Sequence, residues 1–118
     1  MKENVVKDKS FDFALRVVKL AKYLEGEKRE YVLSKQVLRS GTAIGALVRE
    51  AEHAESKADF HKMSIALKEA NETFYWLELL HQGEYIDMLS FRSIGADSEE
   101  LIKLLIAIIK TSKVSKRS

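Results

Sequence analysis

The sequence predicts an all-α protein, an antiparallel four-helix bundle with up-down-up-down topology. Its 118 residues include no proline and only 5 glycines, and sheet proteins rarely do without the turns that these residues form. Apolar residues recur at spacings of three and four, which is the period of a helix that buries one face. We expect one domain over residues 1–118, a length that can bury a core without disulfides or metal.

The composition excludes several classes of function. There is no cysteine, so disulfide frameworks, thiolate metal sites and cysteine nucleophiles are not available. No stretch approaches the roughly 20 consecutive apolar residues of a membrane span, and the N-terminus lacks the apolar core of a signal peptide. We therefore expect a cytoplasmic protein that does not contact membranes.

The first helix is predicted over about residues 10–24. Ser10 is a good N-cap, because its hydroxyl can accept a backbone N–H of the first turn. Phe11, Leu15, Val18 and the stretch from Leu20 to Leu24 indicate an apolar face. A charged stretch after this helix is expected to form an exposed connection to the next one.

The second helix is predicted over about residues 30–54. Gly41 and Gly45 lie inside it, and a glycine in a helix interior costs about 1 kcal/mol relative to alanine. Two glycines four residues apart are tolerable where a neighbouring backbone comes close to that face. The apolar stripe of this helix is Leu33, Val37, Ser40, Ile44, Leu47 and Ala51.

The third and fourth helices are predicted over about residues 57–82 and 87–113. The third has the clearest period, and a 3.5-residue repeat favours the near-antiparallel packing of a bundle. Its apolar stripe is Phe60, Met63, Leu67, Ala70, Phe74 and Leu77.

The fourth helix is apolar on more than one face. Between Leu101 and Ile109 only Lys103 interrupts an apolar run, and nine residues go round a helix more than twice. We therefore expect a second copy of the chain to cover one side, the alternative being a helix shielded on all sides within one monomer.

Trp76, which lies on a mixed row of the third helix, is a further candidate for the interface between copies. The alternative is that Trp76 packs against the first or fourth helix. The candidate oligomer-interface residues are Trp76, Leu101, Leu104, Leu105 and Ile108.

Charged residues beside the stripes of the second and third helices predict a polar seam. If these helices form a hairpin with its turn near residues 55–56, residues that lie level have numbers that add up to about 111. Arg39 is then level with Glu72, and Glu50 with His61 or Lys62. Cross-helix ion pairs Arg39–Glu72 and Glu50–Lys62 would fix the register. A solvated charged face is the alternative. The seam comprises Gln36, Arg39, Ser40, Glu50, Lys62, Glu69 and Glu72.

No catalytic, cofactor or metal site is predicted. Two Glu-x-x-His patterns, Glu50 with His53 and Glu78 with His81, have the spacing found in di-iron bundles. At 1.5 Å per residue the two patterns lie about 25 Å apart along the bundle, so they cannot share a metal pair. A single ion near His61, Glu50 and His53 is the remaining alternative. We expect the protein not to be an enzyme.

A basic tail over residues 110–118 follows two helices with an excess of acidic residues. The tail could contact nucleic-acid phosphates if several copies act together, or it could be a frayed, solubilising terminus. The candidate nucleic-acid contacts are Lys22, Lys35, Arg49, Lys113, Lys116 and Arg117.

One pattern of residues in the second and third helices is that of a known family. It comprises Gln36, Arg39, Ser40, Ile44, Glu50, Asp59, Phe60, Ile65, Ala66, Glu69, Glu72, Trp76 and Leu77. With this pattern the chain resembles the four-helix-bundle proteins encoded in 23S rRNA intervening sequences. The resemblance implies homopentameric rings without known catalytic residues. A related branch, the accessory variability protein of diversity-generating retroelements, works with a reverse transcriptase and binds nucleic acid. Two functions are therefore expected: a homo-oligomeric scaffold or interaction protein or, alternatively, a nucleic-acid-binding accessory protein.

Overall fold

Four α-helices make up almost all of the described chain. The computed structural model describes residues 2–52 and 57–117, with side chains over 5–51 and 61–111. No strand occurs in these parts of the chain. The helices are α1 (Lys2–Gly26), α2 (Leu33–Glu52), α3 (Lys57–Gln82) and α4 (Met88–Arg117).

Each helix packs against its two neighbours in the order α1, α2, α3, α4 and back to α1, and no diagonal pair is in contact among the described residues. This arrangement is a four-helix bundle, so the predicted all-α fold class is confirmed. Within the described residues, no helix combines the length and the apolar character that crossing a membrane requires.

The core runs along the axis of the bundle. The predicted stripe of α2 is inside it, since Val37, Ser40, Ile44 and Ala51 are all buried. In α3, Met63, Ala70 and Leu77 of the predicted stripe are buried, but Leu67 and Phe74 are only partly buried. Ala66 and Thr73, which lie outside that stripe, are fully buried. Phe60 lies outside the described side chains. The largest fully buried side chains include Phe13, Leu24, Ile44, Leu77, Leu80, Leu101 and Leu105.

α1 begins at Lys2, so the predicted start after Ser10 is wrong. Ser10 is 1% exposed inside the helix, where its hydroxyl donates to the carbonyl oxygen of Lys7 at 3.1 Å. The reason is tertiary. An N-cap is worth about 1 kcal/mol, whereas burying an apolar side chain such as Val6, which is fully buried, contributes about 1.5–3 kcal/mol.

The predicted apolar face of α1 is confirmed at its end and wrong at its start. Ala21 and Leu24 are buried, whereas Phe11 and Leu15 are each 47% exposed. In the first half of the helix the core instead takes Val6, Phe13 and Val17. α1 therefore carries two apolar stripes there, and the bundle buries the one that the sequence analysis did not select.

Acidic residues cap the second and fourth helices. The Glu30 carboxylate accepts backbone N–H groups at 3.2, 3.0 and 2.8 Å, those of Val32, Leu33 and Ser34. Glu30 is thus a cap before α2 and not its first residue. Asp87 accepts the Ser90 N–H at 2.7 Å before α4. Such caps satisfy donors that the first turn leaves unpaired.

The remaining predicted helix ends agree with the structure in some cases and not in others. The predicted bounds of α3, 57–82, are confirmed. α4 continues past the predicted residue 113 to Arg117. The predicted end of α2 at residue 54 lies outside the described residues.

Gly41 and Gly45 sit where α2 meets α1. A Cβ atom on Gly41 would lie 2.8 Å from both Cγ atoms of Val17. A Cβ on Gly45 would lie 3.4 Å from the carbonyl oxygen of Ser10. The predicted close approach of a neighbouring backbone is therefore confirmed at Gly45, whereas at Gly41 the close neighbour is the Val17 side chain.

Candidate functional site

The polar seam lies on the face where α2 and α3 meet, with Arg39 at its centre. The Arg39 guanidinium pairs with Glu72 through Nη2 and with Glu69 through Nη1 at 3.3 Å. The residue numbers 39 and 72 add up to 111, so the predicted ion pair and the predicted register agree with the structure. Nη2 also lies 3.5 Å from the side-chain oxygen of Gln36.

A second ion pair closes the seam near the α2–α3 connection. Lys62 Nζ lies 3.3 Å from Glu50 Oε1, so this predicted pair is also present. Both pairs are partly solvated, since the Arg39 side chain is 51% exposed and that of Glu50 54%. Exposed pairs contribute little to stability. Their role in fixing the register stays a prediction.

Beneath the ion pairs, α2 and α3 share a buried hydrogen bond. The hydroxyls of Ser40 and Thr73 are 2.8 Å apart, and both side chains are fully buried. Thr73 also donates to the carbonyl oxygen of Glu69 at 2.7 Å. The sequence analysis did not assign Thr73 to the seam. The signal was available, because Thr73 belongs to the same helical row as Glu69 and is nearly level with Ser40.

Trp76 belongs to the seam as well. Its indole N–H donates to Glu72 Oε2 at 2.9 Å, and its ring meets Tyr75 edge to face with centroids 5.1 Å apart. Trp76 is partly buried and packs against the core. It thus extends the polar seam into an aromatic surface on α3.

Three of the five candidate interface residues do not lie on the surface. Leu101, Leu105 and Ile108 are 1%, 0% and 5% exposed, respectively, so their candidacy is wrong. Leu104 is partly buried against the core. Of the five, Leu104 and Trp76 keep part of their side chains at the surface.

Both α4 and α1 leave an apolar row at the surface; in α4 it comprises Ile102, Ile106 and Ile109, and in α1 it is a more exposed row. We call this the α1 surface stripe and define it as Phe11, Leu15 and Val18, spaced four and three residues apart. Phe11 and Leu15 are half-exposed, and Val18 is partly exposed. In α4, only Ile106 of the apolar run is among the exposed large side chains, at 37%.

The nominated cations of α1 and α2 lie beside this stripe. Lys22, Lys35 and Arg49 are all exposed. Arg49 lies over the ring of Phe11, with its guanidinium carbon 5.2 Å from the ring centroid. Lys22 continues the spacing of the α1 surface stripe, one turn beyond Val18. The side chains of Lys113, Lys116 and Arg117 lie outside the described residues.

The described side chains were also compared with the requirements of a metal site and of a ligand-binding groove. No group of three or more His, Asp or Glu side chains there is placed to hold a metal ion, and His53 lies outside it. A groove of about 750 Å³ between α1 and α4 is lined by Arg16. That guanidinium is already bound to Asp97 at 2.6 Å and to Ser93 at 2.9 Å.

The chain is similar to a known protein family and to a solved structure. The model of the family described as 23S rRNA-intervening sequence protein matches residues 2–107. A similar solved structure is that of a protein with unknown function from the S23 ribosomal protein family of Bacteroides thetaiotaomicron. It is 62% identical over 93% of this chain and 99% of that chain, with a TM-score of 0.91. No curated protein matches the chain.

Proposed function

Because the chain belongs to the 23S rRNA-intervening sequence protein family, we propose that it is a non-enzymatic, homo-oligomeric interaction module of the cytoplasm. The proposal combines two supports. The first is the apolar surface that the folded monomer leaves uncovered. The second is the family resemblance, which implies a ring of five copies.

The α1 surface stripe is the observation that carries the proposal. Soluble monomers expose single apolar side chains routinely, but contiguous apolar stripes mark interaction sites. Phe11 and Leu15 are adjacent on one helix face and each 47% exposed. Fully burying such a side chain contributes about 1.5–3 kcal/mol, so covering this stripe stabilises an assembly.

Light scattering on the purified full chain tests self-association. We expect a mass several times the 13.5 kDa of one chain at micromolar concentration. Leu15→Glu should reduce that mass to that of a monomer. Ala96→Glu is the matched control, because it adds the same charge at an exposed position of α4 and should leave the mass unchanged. A monomeric wild-type chain would refute the proposal.

A second candidate function is favoured by the cations around the same stripe. Lys22, Lys35 and Arg49 are exposed on the α1–α2 side of the bundle, and a ring would repeat them in every copy. Nucleic-acid binding through phosphates releases counterions and therefore weakens steeply with salt. This would make the protein an accessory comparable to the retroelement branch of the resemblance.

Mobility shifts with RNA and DNA at low and moderate salt test this second function. Binding at low salt should fall when Lys22, Lys35 and Arg49 are changed to Gln, or when residues 113–118 are deleted. Lys103→Gln is a control, since it neutralises an exposed cation on α4. No binding at low salt would exclude the accessory function and leave the interaction module.

A further inference from the structure

We infer that the α1 surface stripe receives the surface of α3 from a second copy, so that chains join head to tail. The inference rests on the proposed self-association and names the two surfaces that would meet. One surface is apolar with cations around it. The other is apolar with carboxylates around it.

The first surface is an apolar strip with cations at both ends. Arg49 covers Phe11 at one end, and Lys22 follows Val18 at the other. Lys35 lies on α2 almost level with Lys22, since α1 and α2 pair in a register in which Glu25 contacts Ser34 at 3.2 Å. The strip from residue 11 to residue 22 extends for about 16 Å along the helix.

The same surface also carries Asp8 and Asp12, both exposed near its Arg49 end. Lys7 lies at this end as well, lining the same small groove as Phe11 and Arg49. At the other end, Glu25 lies one turn after Lys22 and contacts Ser34. With Lys22, Lys35 and Arg49, four cations therefore face three carboxylates, and the surface carries one net positive charge.

The second surface lies on the outer side of α3. We call it the α3 surface patch and define it as Glu72, Tyr75, Glu78 and Leu79. Tyr75 is 53% exposed and Leu79 36%, and Glu78 is exposed as well. Glu72 and its neighbour Glu69 share the single guanidinium of Arg39.

This leaves the α3 surface patch net negative. Arg39 neutralises one of two carboxylates in the seam, and Glu78 adds another negative charge. Lys68, exposed one turn before Glu72, is the cation at the other end of the patch. Complementary potentials of this kind select the partner surface and its orientation.

A contact between like surfaces covers less apolar area than a head-to-tail contact. Two α1 surface stripes paired about a two-fold axis would leave Tyr75 and Leu79 of both copies at the surface, and two α3 surface patches would leave Phe11 and Leu15 there. A head-to-tail contact covers both surfaces in each copy that has two neighbours. Each chain therefore contributes the α1 surface stripe to one contact and the α3 surface patch to another. Heterologous contacts of this kind form a closed ring when the rotation between neighbouring copies closes.

Mixing two half-disabled variants tests the head-to-tail contact. Leu15→Asp disables the α1 surface stripe, and Leu79→Asp disables the α3 surface patch. Each variant alone should be a monomer. Mixed, they retain one intact surface of each kind, so they should form a one-to-one dimer of twice 13.5 kDa and nothing larger. Circular dichroism melting confirms that both variants are folded.

Charge reversal provides a second test of the contact between the α1 surface stripe and the α3 surface patch. Lys22→Glu with Lys35→Glu should weaken assembly at least tenfold in dissociation constant, and Glu78→Lys should restore part of it when combined with them. Glu99→Lys is the control for Glu78→Lys, because it reverses an exposed carboxylate on α4.

The outcomes separate the inference from the function on which it rests. A monomeric wild-type chain overturns both. An oligomer that withstands Leu15→Asp and Leu79→Asp, or variants that fail to form the mixed dimer, overturns the inference and leaves self-association standing. If the lysine reversals abolish RNA binding without changing the mass, the surface serves nucleic acid and the inference is wrong.

Discussion

Trp76 and Arg39 donate to the same oxygen of one carboxylate, Oε2 of Glu72. The indole nitrogen of Trp76 lies 2.9 Å from that oxygen. The chain has a single tryptophan, so its fluorescence reports on the ion pair that joins α2 to α3. The hydrogen bond also orients the Trp76 side chain at the edge of the α3 surface.

The Arg39–Glu72 pair should be coupled but modest in strength. We expect a double-mutant cycle of Arg39→Ala and Glu72→Gln in urea unfolding to give about 0.5–1 kcal/mol, because the pair is half-exposed and exposed pairs rarely exceed this. Glu72→Gln should also shift the Trp76 emission. The matched cycle on Lys62 and Glu50 should give less. Zero coupling at Arg39 would contradict the predicted role in register.

Replacing the two glycines of α2 by alanine should have opposite effects on the stability of the fold. Gly41→Ala should destabilise the fold by about 1–3 kcal/mol, the usual cost of overpacking, because its Cβ would lie 2.8 Å from both Cγ atoms of Val17. Gly45→Ala should stabilise it by up to about 1 kcal/mol through helix propensity, since its nearest contact is 3.4 Å. Chemical denaturation measures both.

Val17 is the control for the steric explanation. In the double variant Val17→Ala/Gly41→Ala the two obstructing Cγ atoms are gone, so the effects should be strongly non-additive. If Gly41→Ala is as harmful in the Val17→Ala background as in the wild type, contact with Val17 is not the cause.

The buried Ser40–Thr73 hydrogen bond should be sensitive to the loss of one partner. Thr73→Val should cost about 1–3 kcal/mol, because it leaves the buried Ser40 hydroxyl without its partner across the helices. Ser40→Ala combined with Thr73→Val should cost less than the sum of the single changes, since both polar groups are then removed. Additive costs in the unfolding free energy would contradict this account.

Stability should depend on the ionisation of Asp87. Hydrogen bonds from Ser90, first from its backbone N–H and then from its side chain, hold the Asp87 pKa below its ordinary value of 3.8. A lowered pKa stabilises the fold above the ordinary value, and this contribution is lost as the pH falls through the lowered pKa. Asp87→Asn keeps a capping side chain but should flatten the pH dependence of unfolding below about pH 4. Identical acid profiles for the two chains would exclude the cap as the cause.

Local pattern alone was enough for part of this structure. The bounds of α3 and the level pairing of Arg39 with Glu72 follow from helical period and from the number of residues between two antiparallel helices. Both depend on distances along the chain, which the sequence contains directly. The same holds for the close contact at Gly41, because a glycine inside a helix is costly without a neighbour that needs the space.

Only the tertiary structure decided which apolar surfaces are covered. In α1 the sequence offers two stripes, and the packing of α2 over Val17 buries one and leaves Phe11 and Leu15 outside. In α4 the bundle buries one row of the apolar run, Leu101, Leu105 and Ile108, and leaves Ile106 on the other side exposed. Burial depends on where neighbouring helices stand, and no periodicity within one helix contains that information. That is why the sequence was enough for the bundle and its polar seam, whereas only the structure showed that Leu101, Leu105 and Ile108 lie in the core and that Phe11 and Leu15 lie at the surface.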